Sequence, residues 1–307
     1  MIKILVFTII SIFFFVNKNL ATEIKIIAEV NNEIITNHDI EKEKNYLEIL
    51  NPNFSQLDIN QKLTLAKSSL INEIIKKNEV IKFAEIESNL ELLNNYIRDL
   101  YISIGFDNEK SFLNELKIKK NYTIDEIKKK IKIELMWNEL IYDKYINKIS
   151  IDLNKIENQL DKTKDTKIEY FISEIVFKKK KNLSIKKLYD EIITSIEEIG
   201  FDNTANIYSI SETSKFGGKV GWINVLNLTE KLREKLDLLK IGEITDLIQL
   251  DNRFIILKVE NKRTEEIILN RDEEKKKIIQ FETNRQLSKF SKIYFDKIKL
   301  NYFINEK

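Results

Sequence analysis

No cysteine occurs anywhere in this sequence of 307 residues. In an exported protein that excludes disulfides, a thiol nucleophile and a lipidated cysteine behind a signal. Histidine occurs once, as His38. A zinc site needs several His, Cys or acidic ligands at defined spacing, and nothing near His38 supplies them, so no metal is expected. The same scarcity excludes a Ser-His-Asp triad, because the one imidazole stands beside a helix cap, remote from any serine motif. His38 is therefore read as an exposed residue in a first helical turn. No GxxxxGK[ST] motif occurs, so ATP-driven action has no support, and no cofactor is expected. Neither sign of charge dominates: 51 Lys and Arg stand against 49 Asp and Glu, mixed along the chain, which gives no reason to expect nucleic acid as a partner. The run Lys178 to Lys181 is read as a solvated loop at the end of a strand.

Long apolar runs are scarce too. The longest is Ile4 to Val16, behind Lys3. It is too short to span a bilayer as a helix of about 20 residues, but it suits the core of a secretory signal. Residues 1–21 are read as that signal, with cleavage after Ala21, although Asn19 at the −3 position departs from the small-x-small rule. An uncleaved membrane anchor is the alternative.

The remaining length calls for two or three units with real cores. Ile24, Ile26 and Ala28 alternate with polar neighbours, Asn31-Asn32 is a turn pair, and Ile34-Ile35 resumes the strand. Thr36 with Asp39 has the form of a capping box for the helix that follows. Over residues 57–101, Leu63, Ala66, Leu70 and Ile74 form one helical stripe and Leu90, Leu93, Ile97 and Leu100 another. Thr123 with Glu126 is a second capping box, opening a helix that runs to about Lys148. Residues 150–166 are polar, with one short helical pattern at Leu153, Ile156 and Leu160, and are read as a linker.

From Lys167 the pattern becomes strand, helix ended by Gly200, short helix, polar loop, then FGGKVGW, a helix, the turn at Gly242, a strand over 244–250 and a strand from Phe254. A long helix follows over 265–298, with Phe281, Leu287, Phe290, Ile293 and Ile298 as its apolar positions, and LNYFINEK is read as an edge strand. Three of the six glycines, Gly217, Gly218 and Gly221, fall within five residues. A chain so poor in glycine places it where a side chain would clash or where φ > 0 is needed.

The order of elements, with Tyr208-Ser209, Gly217-Gly218-Lys219-Val220-Gly221-Trp222, Gly242-Glu243-Ile244-Thr245 and Phe254-Ile255-Ile256, resembles a parvulin-type peptidyl-prolyl isomerase domain. In that fold the glycine cluster shapes the turn into a central strand, a structural role shared by Trp222 and Gly242. With the signal, the helical segment opening on AEVNNEIITNHDI and the C-terminal helix, nearly the whole mature chain resembles the SurA-type periplasmic chaperones, in a minimal version with one parvulin domain. The resemblance implies an α+β protein: signal 1–21, helical chaperone domain with linker 22–164, a parvulin-like βαααβαββ domain 165–263, and a C-terminal helix and edge strand, 264–307, packing back on the N-terminal domain.

The isomerase site of that family carries over badly. Its first-strand histidine falls on Glu174, its cysteine or aspartate on Ser211, the methionine and phenylalanine of its proline pocket on Leu228 and Leu232, and its second histidine on Phe254. Leu228, Leu232 and Phe254 retain the makings of an apolar pocket, whereas the paired imidazoles are gone and efficient catalysis is not expected. The resemblance further implies a periplasmic, ATP-independent chaperone for unfolded outer-membrane proteins and aromatic-rich extended peptides, in contact with the outer-membrane assembly machinery. Tyr46, Phe83, Tyr96, Tyr101, Tyr142, Tyr145, Phe290 and Tyr294 are the candidates for lining its client groove. An active isomerase and a membrane-anchored factor like PpiD are the rival readings.

Overall fold

The structure, a computed structural model, describes residues 23–83, 90–118, 122–161, 166–179, 183–250, 252–266 and 270–307. The expected signal, residues 1–21, lies outside them, as do Lys180, Lys181 and Asp251. Among the described residues no helix is long and apolar enough to cross a membrane.

The first unit opens on a hairpin, β1 (Ile26–Val30) and β2 (Glu33–Thr36), turning at Asn31 with φ 52°. Ala28, Val30 and Ile35 are buried, while Ile26 and Ile34 face outward. Thr36 closes the expected capping box: its Oγ1 accepts from the Asp39 N–H at 3.3 Å, and Asp39 Oδ2 accepts from the Thr36 N–H at 2.8 Å. This starts α1 (Asn37–Leu50), whose first turn carries exposed His38. Asp58 caps α2 (Ile59–Val80), followed by α3 (Leu90–Ser103), α4 (Glu109–Ile118) and α5 (Ile124–Tyr145). The Thr123–Glu126 box opens α5 as expected, and α3 buries Leu93 and Ile97.

The face of α2 departs from expectation. Ala66, Ile71, Ile75 and Val80 are its buried line, while Leu63 is exposed and Leu70 and Ile74 are only partly covered. The helix packs on α1, β1 and α5 together, and neighbours on several sides turn a narrow stripe into a broader buried surface. The short helical pattern of the linker forms α6 (Leu153–Asp161), whose Ile156 and Leu160 are buried against Leu226 and Ile278 while Leu153 is exposed.

The second unit comprises β3 (Thr166–Phe177), α7 (Ile185–Ile199), α8 (Phe201–Tyr208), a 3₁₀ turn Glu212–Phe216, β4 (Lys219–Asn224), α9 (Glu230–Asp237), β5 (Ile248–Leu250) and β6 (Arg253–Glu266). The sheet is antiparallel in the order β4-β3-β6-β5. The glycine cluster thus leads into an edge strand, and the expectation of a central one is corrected: the long β3–β6 ladder, from Thr166 opposite Glu266 to Phe177 opposite Phe254, takes the centre. The strand expected from Ile244 begins only at Ile248. Before it, Thr245 Oγ1 takes the N–H of Leu257 at 3.0 Å, so a side chain replaces part of the ladder. One face of the sheet buries Tyr170, Ile172, Val176, Ile255 and Leu257; the other packs Ile175, Phe177 and Ile256 under α7 and α8.

The chain then returns along α10 (Arg271–Lys299) to β7 (Ile304–Glu306), which pairs with β1 as the expected edge strand. Phe295 and Ile298 join the core of Ala28 and Ile75. Trp137 on α5 donates its indole N–H to Ser291 Oγ at 2.8 Å, so a serine lies inside this helix face while Ile293, expected there, is exposed.

Candidate functional site

Glu174 lies in the C-terminal third of β3, where its N–H donates to the Gly218 carbonyl at 2.8 Å. Its Oε1 accepts from Ser211 Oγ at 2.6 Å and from Thr213 Oγ1 at 3.0 Å. Two positions predicted from sequence are thus brought together with a third, Thr213, that sequence reasoning missed; its only signal was its place in the polar loop before the glycines. A carboxylate held by two hydroxyls is an acceptor with its donors already committed. It offers no imidazole pair to favour a twisted amide.

The apolar pocket does not assemble. Leu228 and Leu232 pack with Val176, Ile255 and Leu257, whereas Phe254 stacks on Phe177 at 5.9 Å in the cluster beneath α7. Side chains alternate along a strand, and Phe254 and Ile255 therefore serve opposite faces. A cleft of about 420 Å³ lies elsewhere, between Gln61 on α2 and Asp190, Glu198 and Tyr208 on α7 and α8.

Gly218 has a structural reason to be glycine: at φ 79° a Cβ would stand 2.3 Å from the Glu174 carbonyl oxygen and 2.9 Å from Ala205 Cβ. Gly217 ends the 3₁₀ turn, Gly221 lies within β4, and Gly242 donates to the Val259 carbonyl at 2.7 Å. Trp222 rests edge-on against Phe171 at 5.5 Å, with the Arg263 guanidinium 4.3 Å from its ring.

The eight aromatic candidates separate. Tyr46 is buried and stacked on Tyr122 at 5.1 Å, and Tyr101 tilts against buried Phe112 at 6.0 Å; both belong to a core. Tyr96 and Tyr142 are exposed. Of the other four, three meet between α5 and α10 and the fourth stands across Lys144 from them: Tyr145 stacks on Phe290 at 4.8 Å with planes 1° apart, Tyr294 stands edge-on to Tyr145 at 6.2 Å, and Lys144 Nζ lies 4.5 Å from the Phe83 ring, just beyond α2, and 5.2 Å from that of Tyr294. Phe83 is 55% exposed. Burial and a hydrogen bond to Glu79 raise the Tyr294 hydroxyl above its ordinary range, and the bonds from Lys82 and Tyr294 lower Glu79 against the opposing effect of burial.

A band of charge crosses the helical unit and reaches the second unit at Lys215. Lys130 joins Glu43 at 2.8 Å and pairs with Glu73; Lys76 joins Glu134 at 2.7 Å; Lys215 stands 3.6 Å from the same Glu134. Burial disfavours the charge on Glu134, but Lys215 and Lys76 outweigh it and bring its pKa down to about 2. A depressed carboxylate stabilises the fold above its unfolded value and loses that contribution as pH falls. The stability difference between the protein and Glu134→Gln, followed by urea unfolding, is therefore expected to be full above pH 4.5 and to vanish as pH approaches 2.

Residues 169–261 match the family model for the rotamase, PPIC-type PPIase domain. The second unit is therefore a parvulin-type domain, as the glycine cluster implied. Among curated proteins none matches the chain. Similar solved structures include a PpiC-type peptidyl-prolyl isomerase domain, 24% identical with TM-score 0.28, covering 31% of this chain and 92% of its own. A structure from work on PEB4 and Cj1289 of Campylobacter jejuni, described as SurA-like chaperones, is 18% identical with TM-score 0.35 and covers 92% and 98%. PrsA of Bacillus subtilis is 19% identical with TM-score 0.31, covering 89% and 91%.

Proposed function

We propose that this protein is an exported, ATP-independent chaperone of the SurA type, which holds unfolded outer-membrane β-barrel proteins and carries a parvulin-type domain that does not turn over prolines. The observation that carries this reading is the cluster of Tyr145, Phe290 and Tyr294 between α5 and α10, with Phe83, more than half exposed, across Lys144 from it. An extended client offering alternating aromatic side chains buries them there, each large apolar group contributing about 1.5–3 kcal/mol. After ordering costs the net affinity falls in the micromolar range, about −8 kcal/mol, which permits release without fuel. Glu174, fixed by Ser211 and Thr213, supports the absence of turnover.

The test is suppression of aggregation of a urea-diluted outer-membrane barrel protein by residues 22–307 without ATP, with a proline-peptide isomerisation assay on the same preparation. Protection without isomerisation is expected. Phe83→Ser, at an exposed position, is expected to weaken client binding about tenfold, the equivalent of one aromatic contact. Isomerisation without protection would overturn the reading, and protection indifferent to Phe83→Ser would move the client to another surface.

A further inference from the structure

The turn Glu212–Phe216 has two working sides. On the inner side, Ser211 and Thr213 donate to Glu174, and the Gly218 carbonyl that follows the turn accepts the Glu174 N–H. On the outer side, three of its residues reach the N-terminal helices. The Glu212 carboxylate lies 3.9 Å from Lys76 Nζ on α2, and Lys215 Nζ lies 3.6 Å from Glu134 on α5. Phe216 packs into the cluster of Tyr46, Leu50, Phe112 and Tyr122. The charges alternate: Glu212, Lys76, Glu134, Lys215. The turn supplies both ends of that series and the helices supply its middle. Beside it, Asn51 donates to Asn206 Oδ1 at 2.7 Å and Asn53 to Asp202 at 3.1 Å.

We propose that this turn is the docking element that fastens the parvulin-type domain to the helical unit, and that Glu174 and Ser211 are positioning residues for the docking. The positions that would carry isomerase chemistry hold the turn in the shape its outer side needs. The interface joins apolar contacts, Phe216 in its cluster and Ile199 and Ile207 against the core of the helical unit, to a charged part that is partly open to water, with Lys215 and Glu134 side chains 36% and 37% exposed, so the charged part of its grip depends on ionic strength. The proposal does not depend on which client is held.

Because the chain has no cysteine, two spin labels can be placed without removing any native residue that matters. Exposed Lys129 on α5 and Lys240 in the second unit are suitable sites. A narrow distance distribution is expected at low salt. Lys215→Glu, which sets a carboxylate against Glu134, is expected to lower the docked-to-undocked ratio about tenfold, and about 0.5 M salt to loosen the native pair. Adding Glu134→Lys to Lys215→Glu is expected to restore much of the docked population. Glu174→Ala, or Ser211→Ala with Thr213→Val should Glu174→Ala unfold the domain, is expected to broaden the distribution while Trp222 fluorescence stays native. A distribution unmoved by Lys215→Glu, or by loss of the Glu174 bonds in a folded domain, would overturn the proposal and leave the α8 side, with Ile199, Ile207 and the Asn51–Asn206 bond, as the fastening.

Discussion

Gly218→Ala is expected to destabilise the parvulin-type domain by about 4 kcal/mol, the sum of a strained backbone and an overpacked contact. The added Cβ would meet the Glu174 carbonyl at 2.3 Å, and that oxygen is backbone in the central strand of the sheet, with little freedom to move aside. Gly221→Ala separates the two causes. Gly221 also has positive φ, 100°, but nothing lies within 4 Å of its Cβ position. Only the conformational strain remains there, about 1–2 kcal/mol. Each unit carries one of the two tryptophans, Trp137 in the helices and Trp222 on β4, so urea unfolding in a Trp137→Phe background reads the second unit alone. Equal losses at Gly218 and Gly221 would mean that the turn opens to admit the methyl group and that the close approach is not what constrains it.

Trp137→Ala is expected to cost about 4 kcal/mol and to free the C-terminal half of α10. The side chain is fully buried, meets Tyr294 at 5.7 Å and Phe295 at 6.0 Å, and donates to Ser291. Its loss removes the centre of the contact between α5 and α10 and leaves Ser291, 5% exposed, without its donor. Trp137→Phe keeps most of the volume and loses the hydrogen bond, at about 1–2 kcal/mol. Hydrogen exchange along α10 measures both. Fast exchange confined to residues near 291–299 in Trp137→Ala is the expected pattern; protection equal to the native protein would show that β7 pairing on β1 suffices to hold the helix. The same region carries Phe290 and Tyr294, so on the proposed function loosening it is also expected to weaken client binding.

Much of this architecture is legible in short stretches. Thr36 with Asp39 and Thr123 with Glu126 start helices where the spacing says they must, because a capping box needs only residues within one turn. Helix α4 was missed because its burial rests on two residues, Phe112 and Leu116, too few to mark a period. The candidate site was half legible: Glu174 and Ser211 meet, but Thr213 joins them through the fold of the 3₁₀ turn, and Phe254 leaves Leu228 and Leu232 because strand alternation puts it under α7. Among the aromatics, sequence identified candidates without separating core from surface. Tyr46 and Tyr145 have the same chemistry; one is enclosed by Tyr122 and Lys130, the other is half-buried against Phe290.

The sequence by itself determined the features whose causes lie within a few residues: the caps, the helical end at Gly200, and the glycine turn with the parvulin-type domain it marks. Only the tertiary structure decided that β4 is an edge, which faces of α2 and α10 turn inward, and that Glu212 and Lys215 close a charge series on Lys76 and Glu134. Those outcomes depend on which distant surfaces arrive beside each element. Burial and pairing are properties of both partners, and the order of residues along one of them does not contain the other.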